Sequence, residues 1–141
     1  MGFEIAIEIN ATERRVWEVL TDIEHWPEWT SSITSVTRID SGALAIGSKA
    51  RIKQPIFGTL TWTVTDFTPL RSFTWEAKTP GITVVAGHHL DSPDGKIVSL
   101  TLTVEQRGPI GRLVAPLAEK SARRFVQLEA EGHKRRAEMP G

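Results

Sequence analysis

The sequence contains no cysteine and carries no net charge, and each absence excludes a class of function. Without cysteine there are no disulfides, thiolate nucleophiles or thiolate metal ligands. The 17 basic and 17 acidic residues balance, so the chain lacks the basic excess typical of nucleic-acid-binding proteins. We therefore expect no nucleic-acid partner, and any metal site would depend on the four histidines.

Long hydrophobic runs and the common catalytic motifs are also missing. No apolar run approaches the roughly 20 residues that cross a bilayer, so we expect no stable membrane insertion. The segment "MGFEIAIEIN" alternates charged and apolar residues, unlike a signal peptide, which predicts a cytoplasmic protein. The motifs HxxxH, HExxH and GxSxG and a glycine-rich phosphate loop are absent, so we expect neither a metal nor a cofactor.

What is present fits one domain, residues 1–141. Residues 3–9 alternate between apolar and polar side chains, which indicates a strand with one buried face. "NATERRVWEVLTD" then changes to helical spacing, and we expect Asn10 to cap this helix with Glu13 reaching back. Pro27 suits the first position of a second short helix, which we expect to start near Trp26.

From residue 33 to residue 107 the chain consists of strand-like runs separated by turn residues, which predicts six strands in an antiparallel meander. One face of these strands is apolar and the other is rich in threonine, so one side of the sheet must be covered. The expected inward residues are Ala50, Ile52, Leu60, Trp62, Val64, Phe73, Trp75, Ala77, Ile82, Val84, Ala86, Val98, Leu100, Leu102 and Val104.

The closing segment supplies the cover. Its apolar residues recur at helical spacing and predict a long helix near 110–138 that packs on the sheet. The expected stripe contains Ile110, Leu113, Val114, Leu117, Ser121, Phe125 and Leu128. Glu129 and the other glutamates alternate with lysine and arginine in this segment, which predicts an exposed face with salt bridges.

Four parts of the chain carry a resemblance to a known family: "VWEVLTDIEHWPEW" (16–29), "IGSKARIKQP" (46–55), "FTPLRSFTWE" (67–76) and the closing helix from Gly108. Together they resemble the polyketide cyclase/dehydrase branch of the START-related SRPBCC superfamily. The resemblance implies an α+β helix-grip fold, in which a curved, seven-stranded antiparallel sheet wraps a long C-terminal helix and two short helices follow the first strand. It also implies an elongated, mostly apolar cavity between sheet and helix.

The inward residues of this fold are the candidates for ligand contact, although the same residues also suit an ordinary packed core. Trp26 and Trp29, three positions apart, are expected to share one side of the second short helix and to close one end of the cavity. The full set of ligand-binding candidates is Trp26, Trp29, Ile52, Gln54, Trp62, Phe73, Trp75, His88, Leu117 and Phe125.

Two polar candidates have specific alternatives. His88 has inward parity and His89 outward parity, so His88 is either a cavity acid or base, or a hydrogen-bonded core imidazole. Gln54 either orients a ligand or satisfies backbone groups beside Pro55. Aromatase/cyclase members of the family are thought to use a cavity arginine, but alternation places Arg51 on the solvent face.

Three functions follow as hypotheses. The first is binding or transport of a small hydrophobic molecule, such as a lipid, an aromatic polyketide or an isoprenoid-like compound, because the inner face is apolar and its strands carry no carboxylate in mid-strand. The second is a cofactor-independent polyketide aromatase/cyclase or dehydratase in which His88 moves protons. The third is a protein-interaction module. We expect a monomer or a homodimer.

Overall fold

A computed structural model describes residues 2–140, except for the side chain of Ala115. A strand, β1 (Gly2–Ile9), precedes helix α1 (Glu13–Thr21) and a 3-10 helix (Ile23–Glu28). Six strands follow: β2 (Ser35–Arg38), β3 (Lys49–Gln54), β4 (Gly58–Thr68), β5 (Ser72–Thr79), β6 (Ile82–Asp91) and β7 (Val98–Arg107). The long helix α2 (Pro109–Glu138) ends the chain. This is the element order expected from the sequence.

All seven strands belong to one antiparallel sheet with the order β1-β7-β6-β5-β4-β3-β2. β1 pairs with β7 along its whole length, from Gly2 opposite Glu105 to Ile9 opposite Val98, so the two ends of the strand sequence meet in the sheet. A bulge between Val64 and Asp66 interrupts the pairing of β4 with β5. Bulges bend a strand and increase its local twist, which suits a sheet that curves around a helix.

The two faces of the sheet differ as the alternation predicts. Trp62, Phe73 and Trp75 are buried on the face toward α2, and Leu100 and Leu102 of β7 join them. The opposite face contains the exposed or half-buried threonines of β4 and β7. The core therefore lies between the concave face of the sheet, the two short helices and α2.

The short helices differ from the sequence prediction in two details. Thr12, and not Asn10, caps α1, because the Thr12 hydroxyl accepts a hydrogen bond from the backbone N–H of Arg15 at 3.1 Å. The second short helix is a 3-10 helix that begins at Ile23, so Pro27 lies inside it and not at its first position. Asp22 precedes Ile23 and is a residue type that often begins a helix, but its carboxylate contacts His25 Nδ1 at 2.6 Å and does not cap the backbone.

For the N-terminal half of α2, the prediction of which residues face the sheet was also wrong. Leu113 is 76% exposed and Leu117 is 85% exposed, so neither covers the sheet. The helix instead begins against the turn between β5 and β6, where the backbone N–H groups of Ile110 and Gly111 donate to the Gly81 carbonyl at 3.1 and 3.3 Å. Small residues face inward along the helix, among them Gly111, Ala122, Ala130, Gly132 and Ala137.

Candidate functional site

A cavity of about 130 Å³ lies between the concave face of the sheet and α2. Its inner end is formed by buried residues, including Trp26, Trp75 and His88. Its outer end is formed by half-buried residues, including Phe57 of the turn between β3 and β4 and Phe125 of α2. These two phenylalanine rings meet edge to face at a centroid distance of 5.5 Å. They mark the side from which a ligand would enter.

Seven of the ten predicted contact residues are brought together around this cavity: Trp26, Ile52, Gln54, Trp62, Trp75, His88 and Phe125. Gln54 combines both of its predicted roles, since it lines the cavity while its Nε2 donates to the Ser32 carbonyl at 3.4 Å. Arg51 is exposed on the outer face, as the alternation predicts. Ligand binding by these residues stays a prediction.

Three predicted residues lie elsewhere. Leu117 projects away from the sheet, as described above. Phe73 is fully buried behind the cavity wall, where it stacks on His88 at 4.1 Å and meets Trp75 edge to face. Trp29 packs against the C-terminal end of α2, because it is the residue that ends the 3-10 helix and its backbone turns away from the helical path. Trp26 also meets the His133 ring, at a centroid distance of 5.0 Å, so both indoles contact α2, but of the two only Trp26 lines the cavity.

The wall also contains a charged residue that the sequence analysis placed in solvent. Glu129 of α2 lines the cavity, its side chain is only 15% exposed, and its Oε2 lies 3.4 Å from Nε2 of His133 and 3.6 Å from Nε2 of His88. The first contact is a hydrogen bond and the second is an ion-pair contact. The expectation that the cavity lacks a carboxylate was wrong, because the acid comes from the helix and not from a strand.

The hydrogen-bond partners determine which ring nitrogen of His133 carries its proton. The indole Nε1–H of Trp29 can only donate, and it lies 3.1 Å from Nδ1 of His133. That nitrogen is therefore unprotonated, and the single ring proton of His133 is on Nε2, directed at Glu129. His88 directs Nδ1 at the Phe73 carbonyl, 3.2 Å away, and Nε2 at Glu129. Both nitrogens of His88 therefore face acceptor oxygens.

These contacts determine the ionisation of Glu129. Burial disfavours the charged form and raises the pKa of Glu129, but the interactions with His133 and His88 outweigh burial and lower the pKa to about 2. The stability that the ionised carboxylate contributes is therefore complete above its ordinary pKa of 4.5 and is lost as the pH falls toward 2. At neutral pH the cavity contains a carboxylate that accepts hydrogen bonds and has no proton to donate.

Two further polar groups lie in the cavity walls. The indole nitrogens of Trp26 and Trp62 are buried, and neither has a hydrogen-bond partner among residues 2–140. An unsatisfied buried donor costs about 1 to 3 kcal/mol of folding free energy, and the protein tolerates this cost at two positions. Among the described residues, no group of three or more histidine, aspartate or glutamate side chains is placed to hold a metal ion.

One pattern in the sequence indicates that Glu129 and His133 lie on the inward side of α2. Their separation of four positions places them on one side of a helix, and the small residues Ala130 and Ala137 lie on the same side. A row of alanine and glycine residues, like a row of leucines, can mark the side of a helix that packs against another element. Small residues, however, contribute little to a hydrophobicity pattern. The inward face of this half of α2 was overlooked for that reason.

The sequence profile described as polyketide cyclase/dehydrase and lipid transport matches residues 2–138. The chain belongs to this family. No curated protein sequence matches it. Family membership confirms the resemblance stated above, and the family description itself covers both ring-forming enzymes and lipid carriers.

Solved structures confirm the helix-grip fold of this family member. The Zhui aromatase/cyclase from Streptomyces sp. R1128 superposes with a TM-score of 0.81 at 18% identity, covering 98% of this chain and 93% of that one. A START superfamily protein from Mycobacterium smegmatis superposes with a TM-score of 0.68 at 14% identity, covering 92% and 94% of the two chains.

A third similar structure is an aromatase/cyclase with two domains. BexL, from the BE-7585A biosynthetic pathway, superposes with a TM-score of 0.72 at 15% identity, and the match covers 98% of this chain but 46% of BexL. Identities this low establish a shared fold and leave activity open. Between residues 2 and 140, no helix of this family member is long and apolar enough to cross a membrane.

Proposed function

We propose that the protein binds a small hydrophobic molecule, such as part of a lipid, an aromatic polyketide or an isoprenoid-like compound, in the cavity between the sheet and α2. The observation that carries this proposal is the cavity itself, whose walls are mostly aromatic and aliphatic and whose few polar groups lie together at the buried end. This is the usual composition of a small-molecule site. Burial of apolar surface, at about 25 cal/mol per Å², supplies the affinity.

The size of the cavity limits what it encloses. A dry cavity of about 150 Å³ is known to hold one benzene ring, so a space of about 130 Å³ encloses one ring or a short aliphatic segment. A longer ligand extends past Phe57 and Phe125 at the outer end. The exposed leucines of α2 would suit a protein-interaction module, but the presence of a cavity favours ligand binding.

Toluene is a suitable probe because it fills one ring's volume and makes no hydrogen bond. We expect saturable binding in an NMR titration, with shift changes at the indole signals of Trp62 and Trp75, which line the cavity. Replacing Ala86 in the cavity wall with leucine should abolish binding by occupying the space. The control is Ala6→Leu, the same change at an exposed position of β1. Unsaturable shifts, or equal binding by both variants, would refute the proposal.

A second candidate function is acid–base catalysis on a cyclic or cyclising ketone. It is favoured by the 3.6 Å contact of His88 with Glu129 at the inner end of the cavity, because imidazole and carboxylate groups are the usual side chains in proton transfer. Of the three similar structures described above, two are named as aromatase/cyclases. A carboxylate with a pKa of about 2 is a weak base near neutral pH, so binding remains the better-supported function.

Cyclohexanone tests the catalytic candidate, because exchange of its α protons for deuterium is visible by NMR and its ring fits the cavity. If the protein is such an enzyme, exchange should be accelerated, and His88→Ala should reduce the acceleration by about 10²-fold or more while toluene still binds. His89→Ala is the matched control, since His89 is the next residue but lies on the exposed outer face. Absence of acceleration by the unaltered protein would remove this candidate.

A further inference from the structure

The two carboxylate oxygens of Glu129 differ in their contacts. Both histidines approach Oε2, at 3.4 and 3.6 Å. The other oxygen, Oε1, has no hydrogen-bond or ion-pair partner among the residues that the structure describes. A buried carboxylate normally has each oxygen satisfied, so an unused acceptor on a side chain that lines a cavity points to a ligand.

Residues on two sides hold the orientation of this carboxylate. Trp29 donates to Nδ1 of His133, and this fixes the His133 proton on the nitrogen that faces Glu129 Oε2. His88 holds the same oxygen from the other side and is itself held by the Phe73 carbonyl. Oε2 is therefore fixed by residues from two elements, and Oε1 is the oxygen left for a molecule in the cavity.

The surroundings of Glu129 restrict the shape of that molecule. Trp26 and Trp75 meet edge to face at 5.5 Å, and Trp62 lies tilted against Trp75 at 5.7 Å, so three indole rings form adjoining flat walls. Flat aromatic walls in a space of about 130 Å³ match a single planar ring better than a branched or folded chain.

We propose that the cavity selects a neutral, hydroxylated ring of about the size of phenol, whose hydroxyl group donates a hydrogen bond to Glu129 Oε1. The proposal rests on the proposed binding function and names its ligand class, with Glu129 as the residue that determines specificity. Trp29 and His133 are positioning residues, since they act on the ligand only through Glu129.

Charge disfavours an anionic relative of such a ligand. A carboxylate such as benzoate would place a second anion beside Glu129, with no additional cation among the described residues that line the cavity. A neutral hydroxyl group satisfies Oε1 without changing the net charge of the site.

The test compares toluene, phenol and benzoate, which have similar ring sizes, by NMR titration of the full chain at neutral pH. A hydrogen bond to a charged group is worth about 1.5 to 3 kcal/mol, so phenol should bind about tenfold or more tightly than toluene, and benzoate should bind most weakly. In Glu129→Gln the preference for phenol over toluene should shrink to less than about threefold, with toluene affinity nearly unchanged. Glu131→Gln, two residues away and exposed, should keep the preference.

The outcomes separate this proposal from the binding function. If toluene binds as well as phenol to the unaltered protein, the hydroxyl selection is wrong and the binding cavity stands. If phenol is preferred equally by Glu129→Gln and by the unaltered protein, the acceptor is not Glu129 and the proposal is likewise wrong. If no probe binds, both proposals fail. The comparison of three probes on the unaltered protein applies even if the Glu129 variant does not fold.

Discussion

Replacing Gly132 with alanine is expected to lower the free energy of unfolding by about 3 kcal/mol, at the upper end of the usual cost of overpacking. A Cβ atom at this position would overlap the Trp29 carbonyl oxygen and would lie 2.9 Å from Thr30 Oγ1. The backbone of the 3-10 helix end cannot move aside as a flexible side chain can, so α2 must separate from it. Urea unfolding measures the change directly.

The matched control is Gly111→Ala, the same substitution in the first turn of the same helix. There a Cβ would make an ordinary contact with Ile82 Cγ2 at 3.7 Å, so the gain in helix propensity, about 1 kcal/mol at most, is not opposed by a clash. We expect Gly111→Ala to be neutral or slightly stabilising. If Gly132→Ala also stays within about 0.5 kcal/mol of the unaltered protein, the close approach of α2 to Trp29 is wrong.

The sheet was predictable from the sequence because strand alternation and burial carry the same information. In β5 the buried residues Phe73, Trp75 and Ala77 alternate with half-buried ones, and the pattern alone gives the correct face. The inward parity of His88 and the outward parity of His89 were correct for the same reason. Successive side chains of a strand point to opposite faces of the sheet, so each residue can lie on only one of two faces. When one of these faces is buried, the apolar residues identify it.

The helices were less predictable, because periodicity shows which residues share a side and not which side meets the sheet. In α2 the leucines Leu113 and Leu117 face outward, while glycine and alanine face inward where the backbone must come close to other elements. Gly132 illustrates the reason, since any larger residue would collide with Trp29. Shape therefore overrides hydrophobicity at this interface.

The polar part of the site was not predictable for a related reason. His88 and Glu129 are on elements far apart in the sequence, and only the packing of α2 on the sheet brings them within 3.6 Å. A glutamate between arginines on a helix is usually exposed, so the charge pattern favoured the wrong environment. What distinguishes Glu129 is that two histidines and an indole are arranged around it, an arrangement that no local motif encodes.

Replacing Trp29 with alanine is expected to lower the free energy of unfolding by about 3 to 5 kcal/mol, the usual cost of removing a buried aromatic side chain. The indole is 9% exposed, Arg136 stacks over its ring at 5.5 Å, and its Nε1 donates to His133. Because Trp29 does not line the cavity, we expect it to hold the core together and not to open as a gate. Urea unfolding and the rate of toluene exchange by NMR report the two roles separately.

Trp29→Phe divides the expected loss into packing and hydrogen bonding. Phenylalanine keeps most of the apolar contact but removes the donor to His133 Nδ1, so about 1 to 3 kcal/mol should be lost. Without that donor the His133 proton is no longer confined to Nε2, and the ¹⁵N shifts of the His133 ring should show a mixture of tautomers. A change in toluene exchange with less than about 1 kcal/mol of destabilisation in Trp29→Ala would instead identify Trp29 as a gate. Unchanged His133 shifts in Trp29→Phe would mean that Glu129 is not oriented through Trp29.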